Sequence, residues 1–286
     1  MPMLPSFKDD FMVVSNSKIF PKDLLDCIEK EMELYYKAEK KEEEEKQEAK
    51  NINFNFDMVN TNKDLKALVE KLKKSKTKQY SLLLYGEPGS GKSFFGKYLA
   101  QELGMPVIKK RASDLMERWV GATEKNIKEA FDEAKEKNAI LIFDEADSFL
   151  FNRKNSKQEY TVAQVNEMLT QMEDHPLPFI CTTNLKDGLD PASFRRFIFK
   201  IKYEYMKPEN IQSGIKEYFN KDVSIKDIEN KELQYITAGD FVVTKKKLDI
   251  LENGKYKKDN ILQYLLEEQE EKGIKIKRKI GLNFTL

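Results

Sequence analysis

Gly86-Glu87-Pro88-Gly89-Ser90-Gly91-Lys92-Ser93 fits the pattern G-x-x-x-x-G-K-[ST] at every fixed position. Immediately before it lies the apolar run Ser81-Leu82-Leu83-Leu84-Tyr85, which reads as a strand buried on both faces. After it, residues 94–103 read as a helix closed by Gly104. A glycine-rich turn between a buried strand and a helix can point its N–H groups inward around a phosphate chain. Lys92 then brings a point charge to the β and γ phosphates, Ser93 can ligate Mg²⁺, and the helix N-terminus adds partial positive charge. The expected nucleotide contacts are therefore Gly86, Glu87, Pro88, Gly89, Ser90, Gly91, Lys92, Ser93 and Phe94, with ATP and Mg²⁺ as the cofactors implied.

A second apolar run, Ala139-Ile140-Leu141-Ile142-Phe143, ends in Asp144-Glu145-Ala146-Asp147. A strand that delivers acids at its carboxyl end beside a phosphate loop suits Mg·ATP chemistry. Asp144 is expected to hold the Mg²⁺ water shell, and Glu145 to orient and deprotonate the attacking water. The plainer alternative is that both acids cap the following helix.

The 286 residues carry 50 Lys and Arg against 49 Asp and Glu, so a net charge of +1 gives no global argument for nucleic acid, membrane or acidic partners. Cys27, Cys181 and His175 are the only cysteines and histidine, leaving neither a disulfide framework nor a zinc site. There is no basic region followed by an apolar stretch at the start and no apolar run near 18 residues. The expectation is a soluble cytoplasmic protein.

Residues 1–22 show no period. From Asp23 a helix is expected, with Leu24, Ile28, Met32 and Tyr35 on one stripe, followed by an all-polar stretch to residue 50. It reads either as a recruitment arm or as an ordinary helix packed at one end. Residues 51–60 alternate in part, as a short strand or an extended lead-in, and residues 64–74 form an amphipathic helix. Further strands are expected at 106–108, 179–183 and 197–203, and helices after a Thr123 cap and over 160–172, the latter with Met168 and Met172 in the core. About five strands separated by helices imply an α/β fold with a parallel five-stranded sheet. After Pro208 the texture becomes helical: 209–219, a helix opening near Asp240, and 260–272. The expected organisation is an N-terminal charged segment over 1–50, a large α/β domain over 51–205, and a small C-terminal helical lid domain over 206–286. The tail at 274–280 reads as an exposed strand.

These residues resemble the AAA clade of the AAA+ ATPases, compact bacterial members in particular, from about residue 54 to 241. In that light 140–147 looks like the Walker B segment, and Thr183-Asn184 like sensor 1, which gives Asn184 a role at the nucleophilic water or γ-phosphate. Residues 189–197 resemble the arginine-finger segment, except that Arg195 and Arg196 are adjacent where the usual pattern separates its two arginines by two residues. Both remain candidates, and the plain reading is a pair of surface ion pairs. Trp119 and Val120, before Gly121, look like the loop that lines the central pore and grips a polypeptide. By composition alone a lone Trp is core. Ala238-Gly239-Asp240-Phe241 resembles the turn opening the lid's later helix, which sets Gly239 beside the nucleotide; no sensor-2 arginine stands there. Ile211 matches a position that packs on adenine in relatives, or is core.

The resemblance implies a Mg·ATP-hydrolysing homo-oligomer, a ring of six, working on a protein substrate through the Trp119 loop; the substrate is chosen either by the helix at 24–36 or by a separate adaptor protein, and neither membrane nor nucleic-acid partners are expected. Two alternatives stay open: a nucleic-acid-linked AAA+ loader, and an ATP-dependent scaffold with little turnover.

Overall fold

The computed structural model describes residues 52–116, 121–150, 159–185 and 189–274. The expected helix at 23–50, the loop pair Trp119 and Val120, and the tail from residue 275 lie outside the described residues.

Two of the strands are built from the continuous apolar runs. β2 (Ser81–Gly86) and β4 (Ile140–Asp144) lie inside a sheet whose faces are both covered. Alternation sorts their side chains. Leu82, Leu84, Ile140 and Ile142 face one layer with α1 (Leu65–Lys73) and α2 (Lys92–Glu102), while Leu83, Leu141 and Phe143 face the other with α4 (Ala122–Glu136) and α6 (Glu159–Asp174). Met168 and Met172 are buried in that second layer, as expected. Between β3 (Val107–Arg111) and α4 comes a short α3 (Ala112–Leu115).

The sheet has six strands, in the order β1-β6-β2-β5-β4-β3, with β5 at Phe179–Thr183 and β6 at Phe199–Glu204. Five run parallel, which is the expected set. The sixth, β1 (Asn60–Thr61), pairs antiparallel with Glu204 and Tyr203. Two residues are too few to show a period in sequence, so the partly alternating lead-in resolves into a 3-10 turn (Phe56–Met58) and this edge pair.

Thr123 does not cap α4. It is buried in the first turn, and the helix enters instead through Gly121 at φ 83°, a left-handed conformation that suits glycine. Asp64 does cap α1, accepting from the Ala67 amide at 2.9 Å. Two short helices were not expected: α5 (Asp147–Leu150) and α7 (Pro191–Arg196), the second opened by Asp190 as N-cap with Pro191 behind it.

The helical lid consists of α8 (Pro208–Phe219), α9 (Ile225–Asn230), α10 (Ala238–Leu251) and α11 (Lys258–Glu271), of which α9 was not read from the sequence. They share a core of their own, and Met58 from the lead-in joins it. Ile211 is fully buried in that core, so it offers no surface to a base, and the core reading is the one that the structure supports. Gly214 exists for packing: a Cβ there would fall 2.6 Å from the Phe241 ring.

Candidate functional site

The phosphate loop is shaped from beneath by β6. Gly86 has φ 124°, and a Cβ on it would lie 2.0 Å from the Tyr203 carbonyl oxygen, so only glycine closes the strand this way. Glu87 is buried, its carbonyl accepting from Ser90 Oγ at 2.7 Å. Pro88 is exposed. Gly86, Glu87 and Pro88 therefore form the loop without lining its cavity. Gly89, Ser90, Gly91, Lys92, Ser93 and Phe94 do line it, across a 520 Å³ cleft from Asp144, Glu145, Thr182, Thr183 and Asn184. No side chain caps the N-terminus of α2, which leaves its first amides for a ligand.

Lys92 is buried with its Nζ donating to the Gly86 and Glu87 carbonyls at 3.0 and 2.6 Å. Burial pulls its ammonium down to about 8, against the partial support of Glu87, Asp144 and Asp147. A cation held on its own loop at that cost is poised to exchange two carbonyls for phosphate oxygens.

Asp144 ends β4 and gathers three donors. Its Oδ1 accepts from Ser93 Oγ and Thr182 Oγ1, each at 2.5 Å, and its Oδ2 from Lys109 Nζ at 2.6 Å. Burial pushes this carboxyl up, yet the hydrogen bonds from Lys109, Ser93 and Thr182 outweigh it and leave it below the usual range. Ser93 and Asp144 are hard oxygen donors already within contact of each other, a fit for Mg²⁺ held between one carboxylate and phosphate oxygens. Among the described residues no group of three or more His, Cys, Asp or Glu forms a self-sufficient cage.

Glu145 is exposed to the cleft at φ 55°, a left-handed conformation that is uncommon for this side chain. Thr182 holds the turn, its Oγ1 accepting the Glu145 amide at 3.2 Å and its carbonyl the Ala146 amide at 2.9 Å. Asn184 sits exposed on the same cleft, and behind it Thr183 donates to Asp147. The acid pair is thus a constructed turn, and α5 begins only after it, at Asp147.

The lid closes the cleft through Ala238, Gly239, Val242 and Tyr218. A second cavity of 330 Å³ adjoins it, sharing Gly91, Phe94, Tyr218 and Ala238, with Phe54, Asn55, Val59 and Glu217 on its far wall. Phe94, 47% exposed, stands where the two meet. Arg195 and Arg196, on the last turn of α7, line neither cavity. Arg196 is engaged at home, its Nε donating to Glu173 at 2.7 Å and its Nη1 to the Ala192 carbonyl at 3.2 Å. Arg195 is exposed and has no side-chain partner among the described residues.

Sequence reasoning missed Lys109, Thr182 and Tyr218. A hydroxyl at the carboxyl end of a fully buried strand was the available signal for Thr182. Nothing local marked Lys109, because its partner arrives from the neighbouring strand.

Residues 82–205 match the family described as "ATPase family associated with various cellular activities (AAA)". The chain is 35% identical over 134 residues to vacuolar protein sorting-associated protein 4 of Dictyostelium discoideum, across 45% of this chain and 30% of that one. It is 39% identical over 119 residues to the peroxisomal ATPase PEX1 of Saccharomyces cerevisiae, across 40% and 11%. An uncharacterised AAA family ATPase of Sinorhizobium fredii is 33% identical over 119 residues, across 41% and 36%. The matched region thus spans little more than a third of these relatives at most. The segment at residues 82–205, with its phosphate loop, acid turn and the strands between them, is similar to the AAA ATPase domain.

Proposed function

We propose that the protein hydrolyses ATP with Mg²⁺ as a homo-oligomeric ring, six subunits in the family's manner, and couples hydrolysis to remodelling of a protein substrate. The observation that carries this reading is the meeting of Lys92, Ser93, Asp144, Glu145 and Asn184 on one cleft that the lid closes.

Lys92 transfers its ammonium from the Gly86 and Glu87 carbonyls to the β and γ phosphates. Ser93 and Asp144 would hold Mg²⁺, which when bound would neutralise phosphate charge. Glu145 accepts the proton of the attacking water, Asn184 holds that water or the γ-phosphate, and the Thr182 hydroxyl fixes the turn that aims Glu145. Arg195 completes a neighbouring subunit's site in trans: it is exposed and has no side-chain partner among the described residues, whereas Arg196 is held by Glu173. Movement of the lid, joined to the phosphate loop at Gly239, transmits the hydrolysis state to the rest of the ring.

Trp119 and Val120 are the proposed grip on the polypeptide. Among the relatives, one is named for vacuolar protein sorting and one as a peroxisomal ATPase, and we extend from them only the general class of work, ATP-driven handling of proteins. An adaptor protein selects the substrate in this reading.

The test is the mass of Glu145→Gln in solution with and without Mg·ATP, alongside its turnover. Growth to about six subunits with hydrolysis reduced about 10²–10⁴-fold supports the reading. A particle that stays monomeric at saturating nucleotide sinks the trans-acting arginine, and unchanged turnover sinks Glu145 as the base.

A further inference from the structure

The Asp144 carboxylate is the most heavily occupied acid in the cleft. Of its roughly four lone-pair sites, three are taken, by Ser93, Thr182 and Lys109. Two of these donors are neutral hydroxyls that leave the charge in place. The third is different in kind. Lys109 lies on β3, two residues before Arg111, the residue whose Cα pairs with Asp144 in the sheet, so the strand register itself delivers an ammonium to Oδ2. The pair is partly sheltered, the Asp144 side chain being 13% exposed and that of Lys109 30%. Lys92 cannot substitute for it, since both of its hydrogen bonds run to the loop's own carbonyls.

A divalent cation held by Ser93 and Asp144 would share that carboxylate with a fixed positive charge a few ångströms away, in a setting screened less than bulk water. We propose that Lys109 is a resident cation that competes with the divalent metal for Asp144, so that metal loads only together with a nucleotide triphosphate and the Mg²⁺ threshold of the site is set by Lys109. This rests on the nucleotide reading above. It assigns Lys109 a positioning and selectivity role; Lys109 need touch neither the nucleotide nor the water. Without nucleotide, the ammonium neutralises Asp144 and keeps the carboxylate folded onto Ser93. With nucleotide, the phosphate charge tips the balance towards the metal.

The test uses the full chain carrying Glu145→Gln, with binding of a fluorescent ATP analogue followed as Mg²⁺ is raised from an EDTA baseline. Adding Lys109→Gln should lower the Mg²⁺ midpoint about 3–10-fold, while Lys109→Arg, which keeps the charge, should leave it within about twofold. Mn²⁺ alone, followed by its paramagnetic resonance, should bind Lys109→Gln more tightly than the parent. A midpoint that is unchanged, or that rises because Lys109 was orienting Asp144 for the metal, overturns the inference. If the analogue fails to bind even to Glu145→Gln, the nucleotide reading fails instead. Should Lys109→Gln not fold, the ¹⁵N signal of the Lys109 ammonium in the Glu145→Gln protein serves: it should move when Mg²⁺ is added to the nucleotide-bound protein, and a signal indifferent to Mg²⁺ overturns the inference.

Discussion

Gly239 donates its backbone amide to the Gly89 carbonyl at 2.9 Å, so the first turn of the lid helix α10 is fastened directly to the phosphate loop. The approach is close: Gly89 is held in a left-handed conformation, and a side chain on Gly239 would press on the loop backbone. A Cβ on Gly239 would lie 3.3 Å from Gly89 Cα, and one on Gly89, itself at φ 72°, would lie 3.0 Å from Thr237 Oγ1. The lid end is held in turn by buried Asp240, which accepts from the Thr237 amide and from Lys272 Nζ, both at 2.6 Å. One wall of the cleft is therefore the joint between the phosphate loop and the lid.

Gly239→Val should loosen this joint without disturbing the sheet. The expected outcome is an affinity for ATP analogues weakened roughly tenfold, about 1.4 kcal/mol, with Gly239→Ala between the two. Calorimetric titration in the Glu145→Gln background reads it. Unaltered affinity in Gly239→Val would mean that the lid contributes nothing to binding.

Lys92 predicts a pH dependence with a definite sign. Burial holds its ammonium at about 8 in the free protein, and triphosphate binding favours the charged form. Below pH 8 the lysine is already protonated and affinity should be flat with respect to this group. Above it, binding must take up a proton, so affinity should fall about tenfold for each unit until the raised value of the complex is reached. Titrations at several pH values in buffers of different ionisation heat would show both the fall and the proton uptake. Constant affinity up to pH 9.5 would remove Lys92 from the phosphates.

What the sequence made legible were features with local causes. β2 and β4 announce themselves because both of their faces are buried, and the glycine loop because each of its fixed positions has its own steric or chemical demand. Asp144 and Glu145 followed from their place at the end of β4. The rest depends on contacts between distant segments. Lys109 meets Asp144 through strand register, Ile211 disappears into a core made by four helices and Met58, and β1 exists only because β6 is beside it. Asp190-Pro191 does carry a local signal for α7, an N-cap followed by a first-turn proline.

His175 is the one histidine, and it lies against Phe131 and Phe179 with ring centroids 5.0 and 6.2 Å away and no hydrogen-bond partner for Nε2 among the described residues. Burial and the nearby Lys135 charge lower it to about 4, Asp132 opposing weakly. Its folded value is thus below the ordinary 6.5, so the unfolded chain takes up its proton first as pH falls. The stability this neutral ring contributes is whole above about pH 6.5 and is lost progressively towards pH 4. With allowance for solvent screening the loss is on the order of 1–2 kcal/mol. Denaturant melts of the parent and of His175→Phe, compared at pH 7.5 and 4.5, isolate it from the carboxylates common to both. A difference between the two proteins that does not change with pH would refute it.

Arg195 and Arg196 sit one residue apart in chain but differ in what they are free to do. Arg196 is tied to Glu173 and to the Ala192 carbonyl, a surface pair of the sort that contributes at most about 1 kcal/mol. Among the described residues Arg195 has no such partner. Arg195→Ala should leave the melting temperature unchanged while lowering ATP turnover of the assembled protein about 10³-fold or more, and Arg196→Ala should show the smaller catalytic loss. Mixing decides whether the effect acts in trans. Arg195→Ala and Glu145→Gln are each expected to be inactive alone, but in a mixed ring a site can take Glu145 from one subunit and Arg195 from the next. Equal mixing at random should then restore roughly a quarter of the parent turnover. An inactive mixture that still co-assembles would confine Arg195 to its own subunit, and the adjacent Arg196 would become the residue to release from Glu173.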